Sequence, residues 1–478
     1  MPLRDKNMPI SYDLCNIPWR FVSISQILSI YLHKNCDVPF LKNKETMHTI
    51  NLLSMRRGAL AFVMAMAGAA PSLAYDIEVD GIYYNISSET SHEVEVTGGD
   101  EEYSGFVTVP ESVTYGDVIY TVTGIGDNAF RYCEQLTGVS LPATLTTIGE
   151  AAFAYCDNLA DIALPSTLTE IGDVAFRNCA SITSLAIPSS VTVIGDYAFY
   201  NCTALADISL PSSLTMLGDY AFYFCKSLQS VSLPTGITGI GDYVFYCCTS
   251  LADISLPSDL TAIGDHAFYS CKALTTLALP SSLTTIGDDA FSRCKSLLSV
   301  SMPSSLNDMG RFTFYGCESL SAVTIPSGVE EVGDYAFYGC TALSTVTIGD
   351  GVESIGEKAF YGCTALSSVY GNPSTPPTCH DDDVFSTSTY SDATLYVADD
   401  ARDDYLSTSP WSLFTNIDTP DNDTLDSGIS LLKADADTLY TVYSIGGTLI
   451  MRSANRESVN DLPEGIYIIN GKKTMIGE

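Results

Sequence analysis

Residues 205–227 read LADISLPSSLTMLGDYAFYFCKS, and this stretch decides the fold. Its first part alternates apolar and polar positions, with Leu205, Ile208 and Leu210 on one side. The alternation stops at Pro211, which cannot donate a backbone hydrogen bond to a sheet. The pattern therefore predicts a short strand that buries one face and ends at the proline.

The second part of the stretch predicts a turn that leads the chain back to the core. Gly218 permits a tight bend, and Asp219 is predicted to N-cap a single helical or 3₁₀ turn. Tyr220 and Tyr223 are three residues apart and are predicted to point outward together. The remaining positions are predicted to point inward: Leu214, Leu217, Ala221, Phe222 and Cys225.

The stretch is one of eleven copies that follow each other with a strict period of 23 residues. One copy is too small to bury its apolar face, whereas stacked copies bury it continuously and place their strands about 4.8 Å apart. The sequence therefore predicts an α/β repeat fold, a solenoid with a parallel β-sheet. The period is carried by phenylalanine at positions 130, 153, 176, 199, 222, 245, 268, 291, 314, 337 and 360, and by cysteine three residues after each.

The repeat pattern L-x-x-(I/V)-x-(L/I)-P-x-x-(L/V)-x-x-I-G-D-x-A-F-x-x-C resembles that of the BspA-like leucine-rich-repeat proteins of bacterial surfaces. The resemblance covers about residues 125–370. It extends to the flanks, where Tyr75-Asp76 through Gly81-Ile82-Tyr83-Tyr84 looks like the N-terminal cap of the family. Ala393-Thr394-Leu395-Tyr396-Val397, followed by Trp411-Ser412-Leu413-Phe414, looks like its C-terminal cap. The resemblance implies adhesion to host matrix proteins, host cells or other bacteria.

The flanks of the repeat predict an exported chain. Residues 55–74 have the layout of a secretory signal peptide, with Met55-Arg56-Arg57, an apolar run that is too short to span a bilayer stably, and small residues before Tyr75. Residues 1–54 are interpreted as a start codon assigned too early, with a cytoplasmic leader or an uncleaved anchor as the alternative. The other predicted segments are a β-rich N-terminal cap at 75–121, the leucine-rich-repeat solenoid at 122–370, a C-terminal cap at 371–418 and a linker at 419–430.

The tail at 431–478 is predicted to be a small β-module. Residues 439–443 and 465–469 have strand-like patterns, and Gly446-Gly447 and Asn470-Gly471 are typical of turns. The tail resembles the C-terminal sorting domains that some Gram-negative bacteria use for type IX secretion. It is short for that class, so a plain β-module is the alternative.

The charge of the chain narrows the class of partner. Lys and Arg number 22 against 57 Asp and Glu, which gives a formal net charge of −35. Phosphate binding needs basic residues. We therefore expect no nucleic acid partner, and no membrane insertion after signal cleavage.

Two columns of tyrosine are the candidate binding site. Tyrosine combines apolar area with a polar tip and loses little entropy on binding, which suits an interface. The alternatives are that these residues only cover the flank of the solenoid, or that the small-residue strand face around Ala206, Asp207 and Ser209 receives the partner. The predicted ligand-binding residues are Tyr197, Tyr200, Tyr220, Tyr223, Tyr243, Tyr246 and Tyr269.

Two further columns are interpreted as structural. The repeated cysteines are predicted to be buried free thiols, with Cys247, outside their column, as an outward-facing reactive thiol. The acidic column is predicted to N-cap the turn of each copy, and calcium bridging between copies is the alternative. Its members are Asp127, Glu150, Asp173, Asp196, Asp219, Asp242, Asp265, Asp288, Asp334 and Glu357, and Arg311 interrupts it.

Catalysis finds little support in the sequence. After residue 74 the chain has only His92, His266 and His380, and no serine lies in a nucleophile elbow beside them. We predict no enzyme activity, no cofactor and no metal. Together with the family resemblance, this predicts an adhesin-like leucine-rich-repeat protein, secreted or on the outer surface of a Gram-negative bacterium. Its predicted function is to bind an extracellular protein or glycan. An enzyme or accessory module acting on carbohydrate, or a structural surface-layer component, remains the alternative.

Overall fold

The computed structural model describes residues 75–99 and 101–420 and four strands of the tail. The predicted leader at 1–54, the signal peptide at 55–74 and the linker beyond residue 420 lie outside the described residues. The tail strands form one sheet, as the sequence predicts, with neighbours antiparallel. These strands are Tyr440–Ser444, Leu449–Ala454, Gly465–Ile469 and Lys472–Ile476.

Each coil of the solenoid contributes two short strands. Equivalent strands of neighbouring coils form several short parallel ladders, in which the partners within the repeats are 23 residues apart. Ser184 pairs with Asp207 in the first set, and Val193 pairs with Met216 in the second. The first set is Leu136–Ser140, Asp161–Ala163, Ser184–Ala186, Asp207–Ser209, Ser230–Ser232, Asp253–Ser255, Thr276–Ala278, Ser299–Ser301, Ala322–Thr324, Thr345–Ile348, Ser368–Gly371, Thr394–Val397 and Asn416–Asp418. The second set is Thr147–Ile148, Glu170–Ile171, Val193–Ile194, Met216–Leu217, Gly239–Ile240, Ala262–Ile263, Thr285–Ile286, Asp308–Met309, Glu331–Val332, Ser354–Ile355 and Thr378–Cys379.

The third part of each coil is a turn segment, and here the predicted helical turn is wrong. Tyr220 and Phe224 have left-handed backbones, with φ of 58° and 60°. The N–H groups of Tyr220, Phe222 and Phe224 donate to the next coil, to the carbonyls of residues 242, 244 and 246 at 2.8–2.9 Å. Alternate backbone N–H groups therefore form hydrogen bonds between coils, whereas in a helix they would form them within the same segment.

The core is a continuous stack of phenylalanine rings, as predicted for the inward positions. The ring centroids from Phe130 to Phe360 lie 4.9–5.6 Å apart, the planes are within 15° of parallel, and every ring is fully buried. Tyr103 of the N-terminal cap covers the first ring at 4.6 Å. Phe385 continues the stack at the other end, 5.3 Å beyond Phe360.

The cysteine column lies beside these rings. The ten cysteines of the column from Cys156 to Cys363 are buried free thiols, which confirms the prediction for them. Each donates to a backbone carbonyl, as Cys225 Sγ does to Phe199 O at 3.2 Å. Burial raises the pKa of the Cys202 thiol to about 12.

Both caps join the ladders of the solenoid. In the N-terminal cap, Glu93–Thr97 pairs in parallel with Val118–Ile125, which in turn pairs with the first strand of the second set. In the C-terminal cap, strands of the first set continue to Asp418, so this cap is built as further coils. The other cap elements are strands Ile77–Val79, Ile82–Ser88, Gly105–Thr108 and Ser112–Tyr115, helices Thr387–Asp392 and Arg402–Ser407, and the 3₁₀ turn Trp411–Leu413. None of the helices in the described part of the chain has the length and apolarity to cross a membrane.

Candidate functional site

The predicted binding tyrosines come together as two parallel stacks on the turn segments, and we call them the tyrosine strip. Within each stack the ring centroids are 4.5–4.7 Å apart and the planes are within 8° of parallel. The two tyrosines of one coil lie 5.6–5.9 Å apart. The first stack is Tyr197, Tyr220 and Tyr243, and the second is Tyr200, Tyr223, Tyr246 and Tyr269.

The strip is half-buried rather than fully outward. Every one of its rings is partly exposed, because inside each stack the neighbouring rings cover both faces. Burial raises the pKa of Tyr223, and the phenol groups of Tyr200 and Tyr246 add to the rise. The strip therefore offers ring edges and hydroxyl groups to a partner and keeps few ring faces for stacking.

The acidic ladder, the column from Asp127 to Glu357 named above, runs beside the strip. Asp219 Oδ1 accepts the backbone N–H of Asp242 at 2.9 Å, one coil further on. The predicted N-cap is therefore wrong in its donor, which comes from the next coil and not from the turn that follows. The same bond forms from residues 150, 196, 219, 265, 288, 311 and 357 to the carboxylate 23 positions before each.

The glycine before each ladder residue makes this bond possible. A Cβ added to Gly241 would lie 2.0 Å from Asp219 Oδ1, far inside van der Waals contact. A side chain at this position would push the carboxylate away from the Asp242 N–H. The repeated Gly-Asp pair is thus one unit that joins neighbouring coils.

The ladder places its carboxylates where the strip feels them. Burial raises the pKa of Tyr243, and the charges of Asp265 and Asp242 add to the rise. Partial burial also raises the pKa of the Asp219 carboxyl; the Asp242 N–H opposes this rise, and the carboxylates of Asp242 and Asp196 add to it. The strip and the ladder together form one aromatic and acidic surface.

Cations of the chain lie on this surface. Arg311 was identified in the sequence as a break in the acidic column, but the contacts that it and Arg177 make were not predicted. The Arg177 guanidinium lies 4.6 Å from the ring centroid of Tyr200. In the acidic column, Arg311 donates to Asp288 Oδ2 through Nη2 at 2.6 Å and Nε at 3.1 Å. Arg177 interrupts the tyrosine column and Arg311 interrupts the acidic column. A break in a repeated column is therefore the sequence signal that indicates such a cation.

A second cation lies further along the C-terminal part of the surface. Lys358 Nζ is 2.7 Å from Glu357 Oε1 and 3.1 Å from Asp383 Oδ2. It also lies 5.6 Å from the ring centroid of Tyr335. The two carboxylates thus hold an ammonium group over the edge of the aromatic column.

His266 ends the first stack of the strip. Its ring lies 4.5 Å from that of Tyr243, nearly parallel to it, and Nε2 is 3.5 Å from Asp289 Oδ2. Burial raises the pKa of Asp289, and the facing His266 opposes that rise. The strip is therefore closed at this end by a pair of titratable groups.

The prediction for Cys247 is contradicted. Cys247 is wrong as an outward-facing reactive thiol, since its side chain is fully buried at a turn residue with φ of 57°. Its neighbours one coil away, Phe224 and Ser270, are buried as well. His380 is largely exposed beside Asp381 at 3.4 Å. In the part of the chain that the structure describes, no three His, Cys, Asp or Glu side chains are grouped to hold a metal ion.

Comparison with known proteins points to one family of repeats. The sequence model of the BspA type leucine-rich repeat region matches residues 123–251, 238–367 and 285–388. None of the curated proteins matches the chain.

Solved structures of bacterial leucine-rich-repeat proteins are also similar. One from Bacteroides ovatus is 31% identical over 62% of this chain and 95% of its own, with a TM-score of 0.39. One from T. pallidum is 31% identical over 42% of this chain and 90% of its own, also with a TM-score of 0.39. A leucine-rich cell surface protein from Faecalibacterium prausnitzii is 23% identical over 74% of this chain and 96% of its own, again with a TM-score of 0.39.

Proposed function

The chain belongs to the BspA-type leucine-rich repeat family, and on that basis we propose that it is an exported, adhesin-like protein that binds another extracellular protein through the tyrosine strip. The signal-peptide pattern of residues 55–74 supports export. The family resemblance supports a place on the outer surface of a Gram-negative bacterium or in the medium.

The observation that carries the proposal is the pairing of the strip with the acidic ladder. The coil itself does not require tyrosine, since Ala154, Arg177 and Ser292 stand in the same column without disturbing the period. Seven half-buried tyrosines therefore form a surface beyond what folding needs. The carboxylates beside them favour a basic partner, because opposite charges steer association and fix the register of docking.

A protein partner suits the strip better than a glycan. Sugars stack on the open faces of aromatic rings, and within the strip those faces are covered by rings at 4.5–4.7 Å. Ring edges, hydroxyl groups and carboxylates instead match the mixed apolar and basic surface of a peptide segment. A glycan remains one of the outcomes of the binding screen below.

The test is a screen of the purified full chain against immobilised matrix proteins and glycans, followed by substitution of the strip. The variant Tyr200→Ser, Tyr223→Ser, Tyr246→Ser should lose affinity for the ligand that the screen returns, and high salt should slow association with the wild type. The triple Tyr→Phe variant keeps the stack and separates lost hydroxyl groups from lost packing.

A matched control uses the same column outside the strip. Tyr315 and Tyr338 also stack, at 5.1 Å, beside the coils that Arg311 and Lys358 occupy. The double change to serine there should leave binding unchanged. Undiminished affinity in the triple serine variant would contradict the proposal and move the site to the exposed strand face around Asp161, Asp207 and Asp253.

A further inference from the structure

The first set of strands is open at its N-terminal end. There the cap strand Gly105–Thr108 pairs in parallel with Leu136–Ser140, and no other strand in the described part of the chain pairs with it. At the opposite end a side chain covers one carbonyl of the last strand, since Arg402 Nη2 donates to Ile417 O at 3.0 Å. We call the strand Gly105–Thr108 the cap edge.

The outward backbone groups of the cap edge have no partner among the residues that the structure describes. Gly105 and Val109 donate their N–H groups toward the solenoid, to the carbonyls of residues 135 and 140 at 2.9 and 3.0 Å. Backbone groups of successive strand residues point to opposite sides, so those of Phe106 and Thr108 point away from the solenoid. A strand with such unpaired groups is a template for pairing with another chain.

The side chains of the cap edge also lack a covering layer. The Phe106 ring is 57% exposed. It lies over the backbone of Gly138, where an added Cβ would be 2.6 Å from Cδ2 of the ring. Val107 is partly buried and packs against the core. An added strand would continue both faces, with one row of its side chains beside Phe106 and the other beside Val107.

The charges around the cap edge restrict the partner that it accepts. Residues of the cap edge and of the hairpin around Asp80 line a groove of about 620 Å³. Four exposed acidic residues line the same groove, and none of them forms an ion pair with a described residue. They are Glu78, Asp80, Glu101 and Glu102. A basic segment would be attracted to this groove, because opposite charges steer association.

The same charges act against a second copy of the chain as the occupant. The N-terminal cap at 75–121 contains eleven Asp and Glu and no Lys or Arg. The C-terminal cap at 371–418 contains nine Asp and Glu and one Arg. Head-to-tail pairing of two copies would bring these two acidic caps together, and such a juxtaposition of like charges is unfavourable.

We infer that the cap edge binds an extended, basic segment of a partner protein by strand addition. The segment pairs with the outward N–H and C=O groups of Phe106 and Thr108. It places apolar side chains beside Val107 and carries lysine or arginine at alternate positions for the carboxylates of the groove. In this mode of binding the backbone hydrogen bonds supply affinity and the alternate side chains supply specificity. The site goes beyond the proposed function, because the tyrosine strip begins only at Tyr197.

The experiment measures binding of synthetic peptides to the full chain by fluorescence anisotropy. The probe is a peptide that alternates valine and lysine, and its control alternates valine and glutamate. Only the lysine peptide should bind. Two further probes carry N-methyl groups on the valines alone or on the lysines alone, so they have equal charge. Only one of these two sets of N–H groups faces the cap edge, so one probe should lose at least about tenfold in affinity and the other should keep it.

Substitutions test the same site on the protein. Thr108→Pro removes an outward N–H that does not bond to the solenoid, and it should abolish binding of the lysine peptide. Thr108→Ala keeps that N–H and should bind like the wild type. Glu101→Gln with Glu102→Gln should weaken binding about two- to thirtyfold, as expected for the loss of two exposed ion pairs. The control Glu111→Gln with Asp117→Asn changes exposed acidic residues outside the groove and should leave binding unchanged.

The outcomes separate this inference from the proposed function. The inference is overturned if the lysine peptide does not bind, if the glutamate peptide binds equally, or if the two methylated peptides bind alike. An oligomer of the wild type that Thr108→Pro dissociates would also overturn it, since a second copy would then occupy the edge. The triple tyrosine variant should bind the lysine peptide like the wild type. Loss of the peptide there would place it on the tyrosine strip and overturn the inference, whereas unchanged binding of the screened ligand would overturn the proposed function alone.

Discussion

Replacing Asp219 by asparagine or alanine separates the two effects of an acidic-ladder residue. In the wild type the Asp242 N–H donates to Asp219 Oδ1 at 2.9 Å. Asparagine keeps an oxygen that accepts this hydrogen bond and removes the charge. Ladder carboxylates one coil apart, about 5 Å, repel each other by about 0.8 kcal/mol in water. Asp219 has such a neighbour on either side, so asparagine relieves up to about 1.5 kcal/mol before salt screens it.

The energies that oppose this relief of repulsion come from the hydrogen bond to the Asp242 N–H, and they differ between the asparagine and alanine variants. Asparagine gives up the charge assistance of one hydrogen bond, about 0.5–1 kcal/mol. We therefore expect Asp219→Asn to raise the free energy of unfolding by about 0.5–1 kcal/mol. Alanine also loses the acceptor, which at a comparable capping bond costs about 1 kcal/mol, so Asp219→Ala should be less stable than Asp219→Asn by about that amount.

The assay is urea unfolding followed by circular dichroism at about 0.01 M and about 1 M salt, where the Debye length falls from about 30 Å to about 3 Å. The gain from asparagine should disappear at high salt, because it comes from relieved repulsion. The deficit of alanine relative to asparagine should persist, because it comes from the lost acceptor. If asparagine is as destabilising as alanine, or if its gain is independent of salt, the inter-coil bond does not have the role described here.

Four more results are expected. Phe222→Ala should lower the free energy of unfolding by about 3–5 kcal/mol. The control Met216→Ala, at a side chain that is 57% exposed, should lower it by less than about 0.5 kcal/mol. A loss below about 1 kcal/mol for Phe222→Ala would mean that Phe222 is not an inward residue. The ten thiols from Cys156 to Cys363 should resist alkylation in the native protein and react after denaturation, and inter-coil disulfides in unreduced protein, seen by mass spectrometry, would contradict their packing. Burial raises the pKa values of Glu95, Asp157 and Asp219, so their folded forms hold protons more tightly than the unfolded chain. Tighter proton binding stabilises the folded state fully below the unfolded pKa values, and this stabilisation is lost as pH rises through the folded pKa values. Urea melts should therefore show a higher free energy of unfolding as pH is lowered from 7 toward about 4. N-terminal sequencing of exported protein should begin at Tyr75, and a start within residues 1–54 would refute the signal-peptide interpretation.

The repeat period was enough to predict the core, because burial follows from pattern alone. Phe222, Cys225 and Leu214 are inward as predicted, since a period of 23 places identical residues on top of each other. The donor to Asp219 was missed because capping logic considers only the next three residues of the chain. In the solenoid the N–H that the carboxylate accepts belongs to the residue 23 positions on.

Backbone conformation and column breaks were harder to predict. Nothing in the chemistry of tyrosine favours the left-handed backbone of Tyr220, and hydrogen bonds to the next coil and within its own turn hold it there. Phe385 was missed as a member of the ring stack because a spacing of 25 residues and a Pro-rich stretch separate it from Phe360. The exposure of the ring faces in the strip also depends on stacking between coils, and a linear sequence pattern does not specify that stacking.

The joint between coils is the same at almost every step: a ring on a ring, a thiol on a carbonyl, and a carboxylate on a backbone N–H. Excision of a whole coil from the middle of the array would bring together two surfaces that already fit, because the residue 23 positions on replaces its counterpart at each contact. The number of coils is therefore a quantity that recombination between similar repeats in the gene can raise or lower without disturbing either cap. In such a protein the length of the tyrosine strip, and with it the number of contacts offered to a partner, becomes heritable variation in whole-coil steps.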